Sequence, residues 1–136
     1  MVLKEYNMIK DIRETPFALK SVLEETKKFD SLKASEYRFK KAFFIGCGSS
    51  YYAALYGIWP LLKNDNILAY ALPSSELLIN FMDMVDEKSL IVGTSRSGKT
   101  AETVTALETC KKRGAYTLGF TIEKETKIFD VTDETI

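Results

Sequence analysis

Hydroxyl side chains gather around a glycine in LIVGTSRSGKTAETV, residues 90–104, where an apolar run meets a helical pattern. The backbone N–H groups at the start of a helix have no intrahelical partner and carry the positive end of the helix dipole. Ser95, Ser97 and Thr100 around Gly98 would therefore surround an anion. Phosphate is an anion that such helix starts bind, so this segment predicts a phosphate-binding turn.

An earlier segment has the same organisation of strand, turn and helix. FFIGCGSSYYAALYG, residues 43–57, is an apolar run, a glycine turn with Ser49 and Ser50, and an apolar helical pattern. Two strand-to-helix turns of one parallel sheet lie at its carboxyl edge, which is where such sheets bind ligands. We therefore expect both turns to face one site, although Ser49 and Ser50 could also act only as helix N-caps.

The residues from Gly93 to Thr100 also fit the Walker A pattern of P-loop nucleotidases. A P-loop enzyme holds Mg²⁺ with an aspartate at the end of another strand, commonly behind several apolar residues. No such aspartate follows, because the last apolar run, YTLGFT, ends in Thr121. A P-loop NTPase therefore ranks below ligand binding by the paired turns.

The glycines of the earlier turn invite comparison with the dinucleotide-binding fingerprint. Gly46 and Gly48 match its first two glycines, but Tyr51 occupies the third position and no acidic residue ends the next predicted strand. The sequence has no histidine, which excludes His-containing catalytic dyads and His-ligated zinc. We expect neither a cofactor nor a metal ion. Without a neighbouring base, Cys47 is interpreted as a wall residue of the turn and not as a nucleophile.

Length and charge indicate one domain without a dominant electrostatic field. The 136 residues can bury a single core, and 19 basic residues balance 19 acidic ones. No overall charge favours nucleic acid, so an anion would be held locally. No apolar run approaches the ~20 residues of a membrane span and no signal-peptide core opens the chain, so we expect a cytoplasmic protein.

Apolar periodicity predicts an N-terminal helical arm over residues 1–41, followed by alternating strands and helices. In the arm, Pro16 should separate two helices, with Thr15 capping the second, and a polar linker should cover residues 31–41. Strand alternating with helix predicts an α/β fold with a three-layer, doubly wound parallel sheet of four to five strands. The predicted strands cover 42–46, 67–71, 89–94 and 115–120, the helices cover 49–63, 74–82 and 99–113, and a short helix with the start of a fifth strand follows in 127–136.

Three segments together resemble a known family. GCGSSYYAA, SSELL and TSRSGKTAETVTAL, in this order and strand context, are similar to the sugar isomerase (SIS) domain over residues 43–121. MIKDIRETPFAL, residues 8–19, is similar to the segment that opens the isomerase half of the glutamine–fructose-6-phosphate aminotransferases. The resemblance implies a flavodoxin-like fold and a substrate site formed by Cys47, Gly48, Ser49, Ser50, Ser95, Arg96, Ser97, Gly98 and Thr100.

The resemblance implies binding of a hexose or hexosamine 6-phosphate within an aldose–ketose isomerase or an isomerising aminotransferase. A carboxylate would relay a proton between C1 and C2 of the sugar, but the family's base lies mainly on later segments and no equivalent is identified here. Glu76 and Glu102 are the carboxylates near the turns. Arg96 and Lys99 replace neutral or acidic residues of the family pattern, which leaves the exact sugar open. The alternative is a non-catalytic phosphosugar-sensing regulator, although the arm is too short for the helix-turn-helix domain that such regulators carry.

The resemblance also implies a partner. SIS domains have a five-strand core followed by further helix, so the domain at residues 42–136 is expected to lack its last part or to receive it from another chain. An apolar edge left on the fourth strand would favour association, and the family commonly pairs two such domains. We expect a homodimer or a second SIS domain, with core and interface aromatics at Tyr51, Tyr52, Tyr56 and Trp59.

Overall fold

The computed structural model describes residues 7–26, 38–63 and 67–136. These residues belong to two compact units, one with the N-terminal helix α1 (Asn7–Thr26) and the other with the sheet. Of the linker expected at residues 31–41, residues 31–37 lie outside the described part of the chain, and Lys41 already belongs to the first strand. Among the described residues, no helix has the length and apolar character needed to cross a membrane.

Helix α1 runs through Pro16 without a break, so the predicted division into two helices is wrong. Proline removes one hydrogen bond from the helix and its ring crowds the preceding turn, at a cost of about 3 kcal/mol. That single loss does not end a helix of 20 residues, because the turns on either side keep their own bonds. Thr15 caps nothing: its hydroxyl donates within the helix to the Asp11 carbonyl oxygen at 2.9 Å.

Five parallel strands form the sheet of the second unit. They are β1 (Lys41–Gly46), β2 (Leu68–Pro73), β3 (Ser89–Thr94), β4 (Tyr116–Phe120) and β5 (Glu134–Thr135). Their order across the sheet is β2-β1-β3-β4-β5, and every neighbouring pair is parallel. This confirms the predicted doubly wound α/β fold and its fifth strand. The direction of winding reverses between β1 and β3, which makes the carboxyl ends of these two strands the expected ligand crevice.

Helices flank the sheet. They are α2 (Ser49–Gly57), α3 (Ser74–Glu76), α4 (Ala101–Lys112) and α5 (Lys127–Val131), with a π-helical turn (Leu77–Phe81) and 3₁₀ turns (Leu61–Lys63, Met82–Met84). The helix predicted at 49–63 therefore ends at Gly57, and the helix predicted at 74–82 is α-helical only in its first three residues. Helix α4 contacts α3 on one side and α5 on the other.

The core lies between the sheet and these helices. Phe43, Ile45, Ile91, Leu107 and Ile128 are fully buried in one cluster, together with Cys110. Burial raises the pKa of the Cys110 thiol to about 12, so this thiol stays protonated and unreactive.

The aromatic residues of α2, and Trp59 in the turn that follows it, are not core residues. Tyr52, Tyr56 and Trp59 expose 64%, 77% and 64% of their surface, and Tyr51 is half-buried. The reason is that α2 buries only Ala54 and approaches the sheet at Gly57, where an added Cβ would lie 2.6 Å from Cδ1 of Phe44. The close approach uses the small residues of the helix and leaves its bulky ones outside. Their predicted role at an interface stays a prediction.

Candidate functional site

The first turn, residues 47–50, connects β1 to α2. Gly46 ends the strand, and a Cβ added there would lie 2.7 Å from the Ser50 carbonyl carbon and 2.9 Å from the Tyr51 nitrogen. Gly48 precedes the helix with a φ of 56°, a conformation that favours glycine. Neither serine acts as the N-cap, because that position belongs to Gly48 and no side chain caps α2. The Ser49 hydroxyl is therefore not needed to close the helix, and it lies on an exposed residue.

The second turn, residues 95–100, connects β3 to α4. The Ser95 side chain is 1% exposed and its Oγ lies 3.0 Å from Thr100 Oγ1. The Gly98 amide closes the turn by donating to the Ser95 carbonyl oxygen at 3.1 Å, and Ser97 Oγ accepts from the Lys99 amide at 3.3 Å. Thr100 occupies the N-cap of α4 without a side-chain capping bond. The first N–H groups of a 12-residue helix therefore have no side-chain cap.

The sheet brings the two turns together. Strands β1 and β3 are neighbours, and Gly46 at the end of one is paired with Thr94 at the end of the other. Both turns therefore leave the carboxyl edge of the sheet from adjacent positions. The residues predicted to bind the ligand thus lie in two neighbouring segments, each followed by the start of a helix.

The geometry of β3 argues against the P-loop NTPase alternative. Gly93, the first glycine of the Walker A pattern, lies inside the strand and is paired with Ile45 and Gly119. A Cβ added there would lie 2.6 Å from Leu107 Cδ1, so this glycine allows α4 to pack on the sheet. It does not open a loop around a nucleotide. The Lys99 ammonium, which a P-loop would aim at phosphates, pairs with Glu123 at 3.3 Å.

A third segment supports the second turn, and sequence reasoning missed it. The β4–α5 loop, residues 121–126, holds the Arg96 carbonyl oxygen by two bonds, from the Ile122 amide at 3.2 Å and the Thr121 hydroxyl at 3.2 Å. The Ile128 amide of α5 then donates to the Gly98 carbonyl oxygen at 3.2 Å. The sequence signal was Thr121 itself, a polar residue at the end of a predicted strand. It was used only to exclude an aspartate at that position.

Thr126 at the end of the β4–α5 loop lies against Gly98. A Cβ added to Gly98 would lie 2.0 Å from Thr126 Oγ1, and Gly98 itself has a φ of 61°. Thr126 is 5% exposed, and its hydroxyl is the buried side-chain polar atom without a hydrogen-bond partner in the described residues. The preceding Glu125 has a φ of 55°, a strained conformation for a residue with a side chain. A hydroxyl without a hydrogen-bond partner and a residue with a strained backbone are thus neighbours beside the second turn.

A chain of three polar side chains connects the first turn to α4. Thr103 Oγ1 lies 2.9 Å from Ser74 Oγ and 3.7 Å from Cys47 Sγ. Ser74 and Thr103 are fully buried, and Cys47 is half-buried. The predicted wall position of Cys47 fits this arrangement. Neither Thr103 nor Ser74 was singled out from the sequence as a site residue, because both fall within predicted helices, 99–113 and 74–82.

Charged residues near the turns are mostly exposed. Arg96 and Glu102 are exposed residues, and Glu76 accepts a bond from the Asn80 side chain at 2.8 Å. In the described ranges, no group of three or more acidic, cysteine or histidine side chains is arranged to hold a metal ion. An anion at these turns would therefore be held by neutral hydroxyls and amides, with Arg96 and the Glu123-paired Lys99 as the side-chain cations of the second turn.

The fold and the paired turns define a class of protein, namely a doubly wound α/β domain with a candidate anion site at the carboxyl edge of β1 and β3. Comparison with known families agrees and narrows this class. The model of the SIS domain matches residues 37–136, so the chain belongs to the SIS domain family.

Three individual relatives illustrate this similarity. The glutamine–fructose-6-phosphate aminotransferase (isomerizing) of Pyrococcus horikoshii is 29% identical over 134 residues, which are 97% of this chain and 22% of that protein. The glucosamine-6-phosphate deaminase structure from Thermotoga maritima is 31% identical, with a TM-score of 0.65, and the match covers 83% of this chain and 36% of the other. A solved structure of an Escherichia coli protein shares the fold, with a TM-score of 0.72 at 21% identity over 96% of this chain and 72% of the other.

The comparisons differ in how much of each protein they cover. The chain spans about a fifth of the length of the curated aminotransferases that it matches. The matched part is the region with the sheet and both turns, together with much of the preceding arm.

Proposed function

We propose that this chain binds a hexose or hexosamine 6-phosphate as the phosphosugar-binding part of an isomerase or isomerising aminotransferase. The observation that carries the proposal is the pairing of Gly46 with Thr94, which puts two hydroxyl-bearing turns side by side at the ligand edge of the sheet. The names of relatives at about 30% identity, a fructose-6-phosphate aminotransferase and a glucosamine-6-phosphate deaminase, support a 6-phosphosugar ligand.

The second turn suits the phosphate group. Its amides precede α4, a helix whose N-cap side chain makes no capping bond, and the dipole of that helix favours negative charge. Ser97 and Thr100 add hydroxyl donors within the same turn. The first turn would then contact the sugar, since its glycine backbone leaves open space around Gly48, where an added Cβ meets nothing within 4 Å. Binding the phosphate at a distance from C1 and C2 orients these reacting carbons without touching them.

Thermal unfolding with different ligands tests the ligand class. Glucosamine 6-phosphate or fructose 6-phosphate at a concentration of ~100 Kd is expected to stabilise the fold by about 2.7 kcal/mol. Mg-ATP is the control for the nucleotide alternative and should change the melting temperature little, because Gly93 lies in the strand and Lys99 pairs with Glu123. A larger shift with Mg-ATP than with either sugar phosphate would contradict the proposal.

Substitution of the second-turn hydroxyls tests the site. Ser97→Ala and Thr100→Val should each weaken glucosamine 6-phosphate binding by roughly 1.5–3 kcal/mol, the range for hydrogen bonds to a charged group. Thr105→Val on the exposed side of α4 is the matched control and should leave the affinity unchanged. Isothermal titration calorimetry measures all three. Unchanged affinity in both turn variants would mean that these hydroxyls serve only the local structure.

A further inference from the structure

Thr103 of α4 links polar groups of two other segments. Its hydroxyl lies 2.9 Å from Ser74 Oγ, at the start of α3, and 3.7 Å from Cys47 Sγ, in the first turn. Thr103 follows Thr100, the N-cap of α4, by three residues and therefore belongs to the first turn of that helix. One buried hydroxyl thus joins the segments that follow β1, β2 and β3.

The hydrogen-bond capacity of these groups makes the arrangement specific. A threonine hydroxyl has one proton and two lone pairs, so it can bond both neighbours at once, whereas a thiol is a weak donor and acceptor. Thr103 and Ser74 are both fully buried, where a hydroxyl without a partner is costly. Each hydroxyl therefore requires the other, and the remaining capacity of Thr103 is directed to Cys47.

The chain of polar groups, Cys47, Thr103 and Ser74, connects the two turns beyond the ends of the paired strands. The pairing of β1 with β3 ends at Gly46 and Thr94, the strand residues that precede the two turns. Beyond that pair, each turn continues into its own helix. The contact of Cys47 with Thr103 joins the first turn to the start of α4, which is the helix whose amides complete the second turn.

We propose that Thr103 is a positioning residue that holds the first turn and the second turn in a fixed relation, so that one ligand can contact both. This inference rests on the proposed sugar-phosphate site but concerns a residue that does not itself touch the ligand. The inference predicts different effects on the binding of two kinds of anion. A sugar phosphate spans both turns and needs their relation, whereas inorganic phosphate needs only the second turn.

The first experiment titrates the full chain with glucosamine 6-phosphate and with inorganic phosphate, followed by NMR of backbone amides. Thr103→Val should weaken glucosamine 6-phosphate binding roughly tenfold, the loss expected for one hydrogen bond, and leave inorganic phosphate binding unchanged. Thr103→Ser keeps the hydroxyl and should restore the wild-type affinity. Thr109→Val on the same helix is the control, because its hydroxyl bonds only to the Thr105 carbonyl oxygen at 2.7 Å.

The second experiment needs no ligand, so it separates this inference from the proposed function. The chain has two cysteines, and Cys110 is fully buried, so alkylation by iodoacetamide reports Cys47. Thr103→Val should raise the alkylation rate several-fold, because the sulfur loses its fixed neighbour and the turn opens more often. Thr103→Ser and Thr109→Val should alkylate at the wild-type rate. A Thr103→Val protein with wild-type alkylation and an equal affinity loss for both anions would overturn the inference.

The two experiments distinguish a failure of this inference from a failure of the proposed function. If wild-type protein binds no sugar phosphate, the proposed function fails, while the alkylation rates still decide whether Thr103 fixes the first turn. If Thr103→Val does not fold, Ser74→Ala removes the other end of the chain of polar groups and is measured in the same two ways. Wild-type behaviour of a folded Ser74→Ala protein in both measurements would then contradict the inference.

Discussion

Two glycines of the candidate site have positive φ angles, but for different reasons. Gly48 and Gly98 adopt φ values of 56° and 61°. Around Gly48 there is open space, so only its backbone conformation demands glycine. Gly98 is also crowded, because a Cβ there would lie 2.0 Å from Thr126 Oγ1 and 2.9 Å from Thr121 Oγ1. The second turn is therefore packed against the β4–α5 loop at Gly98, whereas Gly48 of the first turn has no such neighbour.

This difference predicts unequal effects of alanine. Gly48→Ala should lower the free energy of unfolding by about 1–3 kcal/mol through backbone strain alone. Gly98→Ala should lower it by roughly 2–5 kcal/mol, because overpacking against Thr126 adds to the same strain. Urea unfolding measures both, and Thr126→Gly combined with Gly98→Ala should recover part of the loss. Equal losses in the two single variants, with no recovery in the double variant, would argue against contact between Gly98 and Thr126.

At the scale of elements, one carboxylate adds side-chain bonds to the backbone pairing of the short strand β5 with β4. Asp133 Oδ2 accepts from both the amide and the hydroxyl of Thr117 at 2.8 Å, and Asp133 Oδ1 lies 3.1 Å from the Lys111 ammonium. Partial burial works to raise the pKa of Asp133, but the bonds from Thr117 and Lys111 outweigh it and hold the pKa below its ordinary value. The ionised form therefore stabilises the fold.

Acid should weaken this attachment. A carboxyl whose folded pKa is lowered contributes stability above its unfolded pKa and loses it as the pH falls through the folded pKa. Asp133→Asn should cost about 1 kcal/mol at pH 7, since the group is partly exposed, and less at about pH 2, because protonation of the wild-type carboxyl weakens the same bonds. Urea unfolding at both pH values measures the difference. Glu108→Gln, which breaks an exposed pair with Lys112, is the control and should change stability little at either pH.

Most elements followed from patterns in the sequence, and the failures have local physical causes. The four long strands are continuous apolar runs, as buried parallel strands are, and their boundaries were predicted within about two residues. Pro16 predicted the end of a helix, but the loss of one hydrogen bond at this proline does not end α1. The helix after β2 passes through π and 3₁₀ turns that no apolar period marks.

The candidate site was predictable only where sequence neighbours form it. Both turns were found because each keeps its glycines and hydroxyls within a few residues. Thr103, Ser74 and Thr126 join the site through tertiary contacts, across separations that local patterns do not register. These three residues stand out in the structure because they are buried. From the spacing of residues in a sequence, a buried threonine of a polar network looks the same as a threonine that only packs in the core.

For the whole molecule, the question is whether binding is accompanied by turnover. Isomerisation of a sugar phosphate needs a positioned acid or base to move a proton between C1 and C2. The sequence has no histidine. The carboxylates that the sequence analysis identified near the turns are Glu102, which is exposed, and Glu76, which accepts a bond from Asn80. Neither has the paired, buried environment that commonly prepares a carboxylate for proton transfer.

We therefore expect this chain to bind fructose 6-phosphate without exchanging its C1 or C2 protons. Positioning alone forgoes the contribution of general acid–base catalysis, which is on the order of 10²–10⁴ in rate. NMR in deuterated water measures the exchange directly, with sugar binding verified in the same sample. Robust exchange that Glu76→Gln or Glu102→Gln abolishes would contradict this expectation and identify the base within the chain. Binding without exchange would agree both with a proton-transfer group supplied from outside these 136 residues and with the non-catalytic alternative.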